Sequence, residues 1–224
     1  MRTLDKPGGI PVFPPHHNPD GDCLLQRILQ NEPHRRDMAW PQGFAGGIAH
    51  RLDTATSGAV LVADNPEELT LIRQHFNEGQ LLKTYRLLAS KDVSWNENGV
   101  VLPIAHDRRR KNRMVVQRGR STPHRGSWHE AETRFRRLSG LLFEAQMKTG
   151  VMHQIRAHAA FVGIPLMGDH IYGSAHKGSV HLLHHVGLVG GTVKTEPVPL
   201  PNWAKEAASQ EGGVDCPSSS RPQQ

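Results

Sequence analysis

The chain has 224 residues, enough for one sizeable domain that folds without crosslinks or a structural metal. Its two cysteines lie near opposite ends, which excludes a disulfide framework and a paired-cysteine metal site, and no apolar run is long enough for a membrane span or a secretory signal. The formal net charge of +6, with 15 further histidines, favours a polyanionic partner, and we expect a cytoplasmic protein.

The first third of the chain predicts four elements. Turn formers alternate with apolar residues in 4–14, which indicates a short strand with a turn, and residues 22–30 have the apolar spacing of a helix. The continuous apolar run 59–63 is typical of a buried strand. Asn65 as N-cap and Pro66 as first helical residue then predict a helix up to about residue 77.

The remainder is dominated by strands. Residues 153–161 predict a helix, and the polar composition of 206–224 predicts a disordered tail behind a single domain over 1–205. Strands with interspersed helices and no regular alternation indicate an α+β fold with a mixed, largely antiparallel sheet and flanking helices. The predicted strands are 83–89, 100–102, 114–116, 131–138, 141–148 and 182–189.

One carboxylate stands out in the stretch 50–58, His-Arg-Leu-Asp-Thr-Ala-Thr-Ser-Gly. Asp53 follows the basic pair His50 and Arg51 and precedes a hydroxyl-rich turn. Such an aspartate is often structural, because it accepts hydrogen bonds from turn amides. The residues alone therefore leave both a structural and a reactive role open.

Several motifs resemble, in collinear order, those of the RluA-type RNA pseudouridine synthase family. The stretch 50–58 is similar to the motif around the family's nucleophilic aspartate, and Lys83-Thr84-Tyr85 is similar to its second motif. The other matching segments are 5–9, 149–158, 163–169, 172–173 and 183–184. The resemblance covers about residues 4 to 203 and implies the fold of that catalytic domain. It also implies isomerisation of uridine to pseudouridine in structured RNA without a cofactor.

The resemblance also implies roles for four residues. Asp53 would be the nucleophile, Arg156 would pair with it, and Tyr85 would pack against the base and accept its proton directly or through water. Arg51 would stack in place of a base flipped out of the RNA. The residues alone also allow other roles. Tyr85 could be an ordinary aromatic residue of the core, and Arg51 could bind a phosphate or cap a turn.

A basic segment runs from residue 106 to residue 137, with eleven Lys or Arg against three acidic residues. Such a run is often only a solvated loop. We interpret its densest part as a loop that clamps RNA phosphates, because such contacts supply affinity without reading sequence. The residues concerned are Arg108, Arg109, Arg110, Lys111 and Arg113.

Two departures from the family pattern bear on activity. Val151 and Met152 replace the usual Arg-Thr of the third motif, and His185 stands where alanine is usual. We expect altered affinity or packing rather than lost chemistry. An RNA-binding protein without catalysis remains an alternative, as does a histidine-dependent metal hydrolase, although no paired metal-ligand motif supports it.

The catalytic motifs begin within the first ten residues, so we expect no S4 RNA-binding domain ahead of them. The catalytic domain itself would then select the target uridine. We expect its substrate to be transfer RNA, large-subunit ribosomal RNA or both. No membrane association and no obligate protein partner are indicated, and a monomer is the default expectation.

Overall fold

The computed structural model of the chain describes residues 1–16, 18–173 and 180–209. Four helices are present in this part: α1 (Leu24–Asn31), α2 (Pro66–Asn77), α3 (Gln154–Phe161) and α4 (Asn202–Ser209). Short 3₁₀ helices lie at Pro33–Arg36 and Ala45–Gly47. The strands are β1 (Arg2–Lys6), β2 (Ser57–Val62), β3 (Leu82–Leu88), β4 (Glu97–Val101), β5 (Ile104–Asp107), β6 (Met114–Val116), β7 (His124–His129), β8 (Glu132–Ser139), β9 (Leu142–Met147), β10 (Leu183–Gly190) and β11 (Val193–Lys194).

The strands form two sheets. The larger has the order β1-β2-β10-β3-β9-β8-β4, with β11 paired to β10, and the smaller has the order β6-β5-β7. Only β2 and β10 run parallel, and the other described pairs are antiparallel. The predicted α+β fold with a mixed, largely antiparallel sheet is confirmed.

Strand β2 is buried on both faces, which explains its unbroken apolar sequence. Val60 and Val62 pack in the larger core with α1 and α3, whereas Leu61 packs in a second core beneath α2. The alternation of side chains along a strand sends these neighbours to opposite faces. The helices thus flank the large sheet on both sides.

Helix α2 begins and ends where the local signals predict. The side chain of Asn65 accepts a hydrogen bond from the backbone N–H of Glu68 at 2.8 Å, and Pro66 occupies the first turn. Leu69 and Ile72 are its buried residues. Among the helices of the described part, none is long and apolar enough to cross a bilayer.

The densest part of the basic segment, residues 108–113, is a loop as predicted and is called the basic turn below, whereas other parts of the segment form strands. Strands β5 and β7 are not predicted by the sequence; β5 pairs with both β6 and β7. The loops of the segment are the turn between β5 and β6 and the connection 117–123 between β6 and β7. Asp107 caps the first by accepting hydrogen bonds from the backbone amides of Arg109 and Arg110 at 2.8 and 3.2 Å. Strand β5 has only four residues, and β7 contains one large apolar residue, Trp128, so neither sequence shows the alternation of a strand and pairing decides their conformation.

The predicted boundary of the tail is also displaced. Residues 206–209 lie in α4, in which Ala204 is buried. The hydroxyl of Ser139 donates a hydrogen bond to the backbone carbonyl of Ala207 in this helix at 3.2 Å. Tertiary contact therefore orders four residues whose composition predicts disorder. The rest of the predicted tail, 210–224, lies outside the described residues.

Candidate active site

A cavity of about 1090 Å³ collects residues that are distant in the sequence. Arg51 and Asp53 reach it from the loop before β2, Tyr85 from β3, and Arg156 from the first turn of α3. The structure thus brings together the four side chains for which the resemblance implies roles in the reaction.

The loop that carries Asp53 is held by its main chain. The amide of Thr56 donates to the carbonyl of Asp53 at 3.0 Å, and the amide of Gly9 donates to the carbonyl of Thr54 at 2.8 Å. The carboxylate itself is 31% exposed, so it faces the cavity while its backbone is fixed. Such an arrangement leaves the oxygens accessible to a ligand.

Ser57 and Gly58 do not belong to the predicted hydroxyl-rich turn after Asp53, because they begin strand β2. Gly58 has φ +115°, and a Cβ there would lie 2.1 Å from the carbonyl oxygen of His185 on the paired strand. Glycine is therefore required at the end of the motif by the close approach of β2 and β10.

Lys6 ties the N-terminal strand to this loop. Its fully buried ammonium donates to the carbonyls of Pro7 and Ile10 at 2.8 Å and to that of Thr54 at 3.2 Å. Burial lowers the pKa of Lys6 to about 8, although the charges of Asp53 and Asp5 oppose the shift. The charge of Lys6 contributes positive potential on the protein side of Asp53.

Arg156 joins two carboxylates. Its Nη1 lies 3.3 Å from Oδ2 of Asp53, while Nε and Nη2 donate to the two oxygens of Asp169 at 2.7 and 2.9 Å. Burial disfavours both charges of the Arg156–Asp169 pair, but their mutual hydrogen bonds outweigh it, so the pKa of Arg156 is raised and that of Asp169 lowered. The bidentate pair fixes the guanidinium and aims its remaining nitrogen at Asp53.

His153 is a second neighbour of Asp53, with its Nε2 3.7 Å from Oδ2. It is the N-cap of α3 with φ 55°, and no other non-glycine residue among those described has positive φ. Such a backbone is uncommon outside glycine and costs free energy, which points to a functional constraint. Burial lowers the pKa of His153, and attraction to Asp53 opposes this.

Tyr172 sets the orientation of the His153 ring. Its hydroxyl oxygen accepts the amide of Met114 at 2.9 Å and lies 3.1 Å from Nδ1 of His153. Both contacts are satisfied when Tyr172 donates to Nδ1, which leaves the proton of neutral His153 on Nε2, facing Asp53.

Tyr85 forms part of the cavity wall and is only 5% exposed. Burial raises its pKa above the usual value, and the charge of Asp53 adds to the shift. Its phenol is therefore protonated at neutral pH, which disfavours a direct phenolate base and leaves its hydroxyl available to pass a proton on.

His185, at the position where alanine is usual in the family, is fully buried behind Tyr85. The two rings are 4.5 Å apart, and His185 Nδ1 lies 2.6 Å from the carbonyl of Ala59. Burial lowers the pKa of His185 to about 4, so the ring is neutral and packs as an aromatic. This departure changes the support of Tyr85 rather than the cavity wall.

The basic turn borders the cavity. Asn112, at its end, lines the cavity, and Arg108, Arg109, Arg110 and Lys111 are exposed beside it. Arg51 is exposed at the rim. Arg113 differs from its neighbours: it is half-buried, 3.9 Å from Asp107 and 5.6 Å from the centre of the Tyr172 ring, so it is less free to contact a ligand.

The histidines do not converge on one point. His158 is buried in the core against Thr133, whereas His181, His184 and His185 each bond a different partner: Thr56 Oγ1, Ser57 Oγ and the Ala59 carbonyl. Within the described residues, no three His, Cys, Asp or Glu side chains are placed to hold a metal ion. The histidine geometry thus gives the metal-hydrolase alternative no support.

The sequence alone does not indicate a role for Lys6, His153 or Asp169. Each lies inside a segment that matches a family motif. The spacing of residues in the sequence does not reveal, however, which carboxylate pairs with a buried arginine. A buried charge must be paired, and this rule identifies Asp169 only once Arg156 is known to be buried.

Comparisons with known proteins agree with this geometry. A family model described as RNA pseudouridylate synthase matches residues 2–161. The chain is 34% identical over 61% of its length to RNA pseudouridine synthase 2, chloroplastic, of Oryza sativa, and 30% identical over 78% to ribosomal large subunit pseudouridine synthase D of Xylella fastidiosa. It spans 32% and 50% of those two relatives.

A solved structure shares the fold. The chain is similar to human RNA Pseudouridylate Synthase Domain Containing 4, with a TM-score of 0.67 and 22% identity, over 92% of this chain and 87% of the human one.

Proposed function

Because the chain belongs to the RNA pseudouridylate synthase family, we propose that it isomerises uridine to pseudouridine in RNA with Asp53 as nucleophile. The observation that supports the proposal most directly is the 3.3 Å contact between Arg156 and an accessible carboxylate oxygen of Asp53. The guanidinium binds one carboxylate oxygen and so helps to position the carboxylate for attack.

The reaction requires few protein groups. The bond from N1 of uracil to C1′ of ribose breaks, the base turns, C5 bonds to C1′, and the proton on C5 leaves while N1 gains one. Asp53 begins this by attack at the sugar or the base. Tyr85 packs against the turning base, and its neutral hydroxyl passes on the C5 proton to water.

The target base has to leave the RNA stack before Asp53 reaches it, at a cost of a few kcal/mol. Arg51 is exposed at the cavity rim, two residues from Asp53, where its planar guanidinium can stack in the place of the flipped base. The intact contact of Asp53 with Arg156 disfavours the alternative of an RNA-binding protein without catalysis.

We extend the proposal to the substrate and the state of the protein. One relative is named for the large ribosomal subunit, which makes ribosomal RNA a substrate to test beside transfer RNA. No cofactor is required, and the protein acts as a monomer on its RNA.

Purified protein incubated with RNA from cells that lack it, in the presence of a chelator, is expected to form pseudouridine at discrete uridines. Chemical mapping before and after incubation identifies the positions. Sites absent from the mutant cells and restored in vitro are the physiological targets. If binding occurs without any new pseudouridine, the protein is an RNA-binding protein. If the RNA is instead cleaved, and only when the chelator is left out, the metal-hydrolase alternative gains support.

The basic turn provides a second prediction. Changing Arg108, Arg109, Arg110 and Lys111 to glutamine is expected to weaken RNA binding and to reduce the slope of log K against log salt, because each phosphate contact releases counterions. The turnover of bound RNA should change far less. Binding titrations over a range of salt concentrations measure the slope.

The matched control replaces Arg134, an exposed arginine on β8 that pairs with Glu132. Its substitution with glutamine should leave the salt slope unaltered. An unchanged slope in the four-residue variant contradicts the phosphate-clamp role.

A further inference from the structure

A second cavity of about 610 Å³ adjoins the candidate active site. Residues 149–152 line both cavities, so they form the wall between them. Any strand of RNA that places a uridine against Asp53 therefore has a neighbouring recess available on the far side of this wall.

The second cavity is lined by aromatic and apolar residues together with the exposed polar residues His129 and Glu130. Trp128, on β7, is partly exposed, and its ring lies 4.3 Å from that of His124 with a 36° angle between the planes. Val151 and Met152 line the same cavity, and Met152 is 43% exposed. These two residues are the ones that replace a polar Arg-Thr pair in the family pattern.

The smaller sheet fixes the position of Trp128 relative to the positively charged turn between β5 and β6. Strand β5 pairs with both β6 and β7, so the basic turn between β5 and β6 and the ring of Trp128 belong to one sheet. The turn is suited to phosphates, and a partly exposed aromatic ring is suited to stacking with a base. Charge and aromatic surface together favour a nucleotide chain over a peptide or a lipid.

One buried polar atom in the same cavity lacks a partner. His106 lines the recess, and its Nδ1 is buried without a hydrogen bond to any described residue. Native structures rarely leave such an atom unsatisfied without a water or a ligand nearby.

We propose that this second cavity binds an unpaired nucleobase next to the target uridine, stacked on Trp128 and covered by Met152. The inference rests on the proposed function, because the substrate must be RNA. It adds a site for a neighbouring base, which would give the protein a preference for uridines in flexible single-stranded segments. Stacking tolerates every base, so the site selects for an unpaired neighbour rather than for a sequence.

The test uses the trinucleotide ApUpA and two analogues, each with an abasic ribose in place of one adenosine. Binding is measured by calorimetry in the Asp53→Asn background, so that no conversion occurs. Trp128→Ala is expected to weaken ApUpA binding by about 5- to 100-fold, and Trp128→Phe much less. One abasic analogue, the one that lacks the base bound at Trp128, should bind the protein with intact Trp128 more weakly than ApUpA does. Trp128→Ala should not weaken the binding of this analogue further.

Trp203→Ala, at a partly exposed tryptophan on α4 outside both cavities, is the matched control and should leave all three affinities unchanged. The proposal is overturned if Trp128→Ala leaves ApUpA binding unchanged, or if it weakens ApUpA and both analogues equally. Pseudouridine formation by the protein with Asp53 intact is measured separately. If the protein forms pseudouridine but Trp128→Ala has no effect on binding, only the proposal of the second site is wrong. If the protein forms no pseudouridine, the proposed function is wrong.

Discussion

Replacing Asp53 with asparagine is expected to reduce pseudouridine formation by at least about 10⁴-fold while leaving RNA affinity within a few-fold. The amide has nearly the shape of the carboxylate but cannot attack. The backbone of Asp53 is held by contacts that do not involve its side chain, so the loop should keep its conformation. Single-turnover assays with saturating enzyme separate this chemical defect from binding.

Asp37→Asn is the matched control, since Asp37 is exposed and lies outside the cavity. It should retain full activity. Thermal unfolding of both variants should resemble that of the unmodified protein. An Asp53→Asn variant that keeps more than about a hundredth of the rate would show that the carboxylate is not the nucleophile.

Local signals predicted the elements that depend on local contacts. Helix α2 carries its own cap and proline, and β2 is apolar enough to be buried on either face, so both were recognised. Strands β5 and β7 were missed because their residues become extended through pairing with distant partners. Helix α4 was missed for the same reason, since its packing against the sheet outweighs a polar composition.

The same distinction applies to the site. The resemblance of separate motifs predicted that Asp53, Tyr85 and Arg156 act together, and the structure places them in one cavity. It did not predict that Arg156 is held by Asp169, nor that His153 lies near Asp53. These contacts join side chains whose spacing in the sequence carries no geometric information until the fold is known.

Removing Asp169 alone is expected to cost about 3 kcal/mol of unfolding free energy, because buried Arg156 would lose its bidentate partner and keep only the longer 3.3 Å contact with Asp53. The side chain of Asp169 is fully buried and that of Arg156 only 6% exposed. Asp169→Leu should therefore shift the denaturant midpoint strongly. It should also lower activity, since the guanidinium would lose the two bonds that aim it at Asp53.

The contribution of the Arg156–Asp169 pair to stability should also depend on pH in the acid range. Arg156 holds the pKa of Asp169 below its ordinary value of 3.8, despite the opposing effect of burial. The stabilisation is therefore fully present above that ordinary value and is lost as the pH falls below it through the lowered pKa. A variant without the pair should lack this part of the acid sensitivity.

The double variant Asp169→Leu, Arg156→Met separates stability from catalysis. Apolar side chains of similar size often replace a buried ion pair without loss, so the double variant should recover most of the stability that Asp169→Leu loses. It should nevertheless remain inactive, because Asp53 no longer has its guanidinium neighbour. Asp22→Ala, which breaks the exposed pair with Arg27, is the control and should hardly change unfolding. Recovery of activity in the double variant would show that Arg156 has only a structural role.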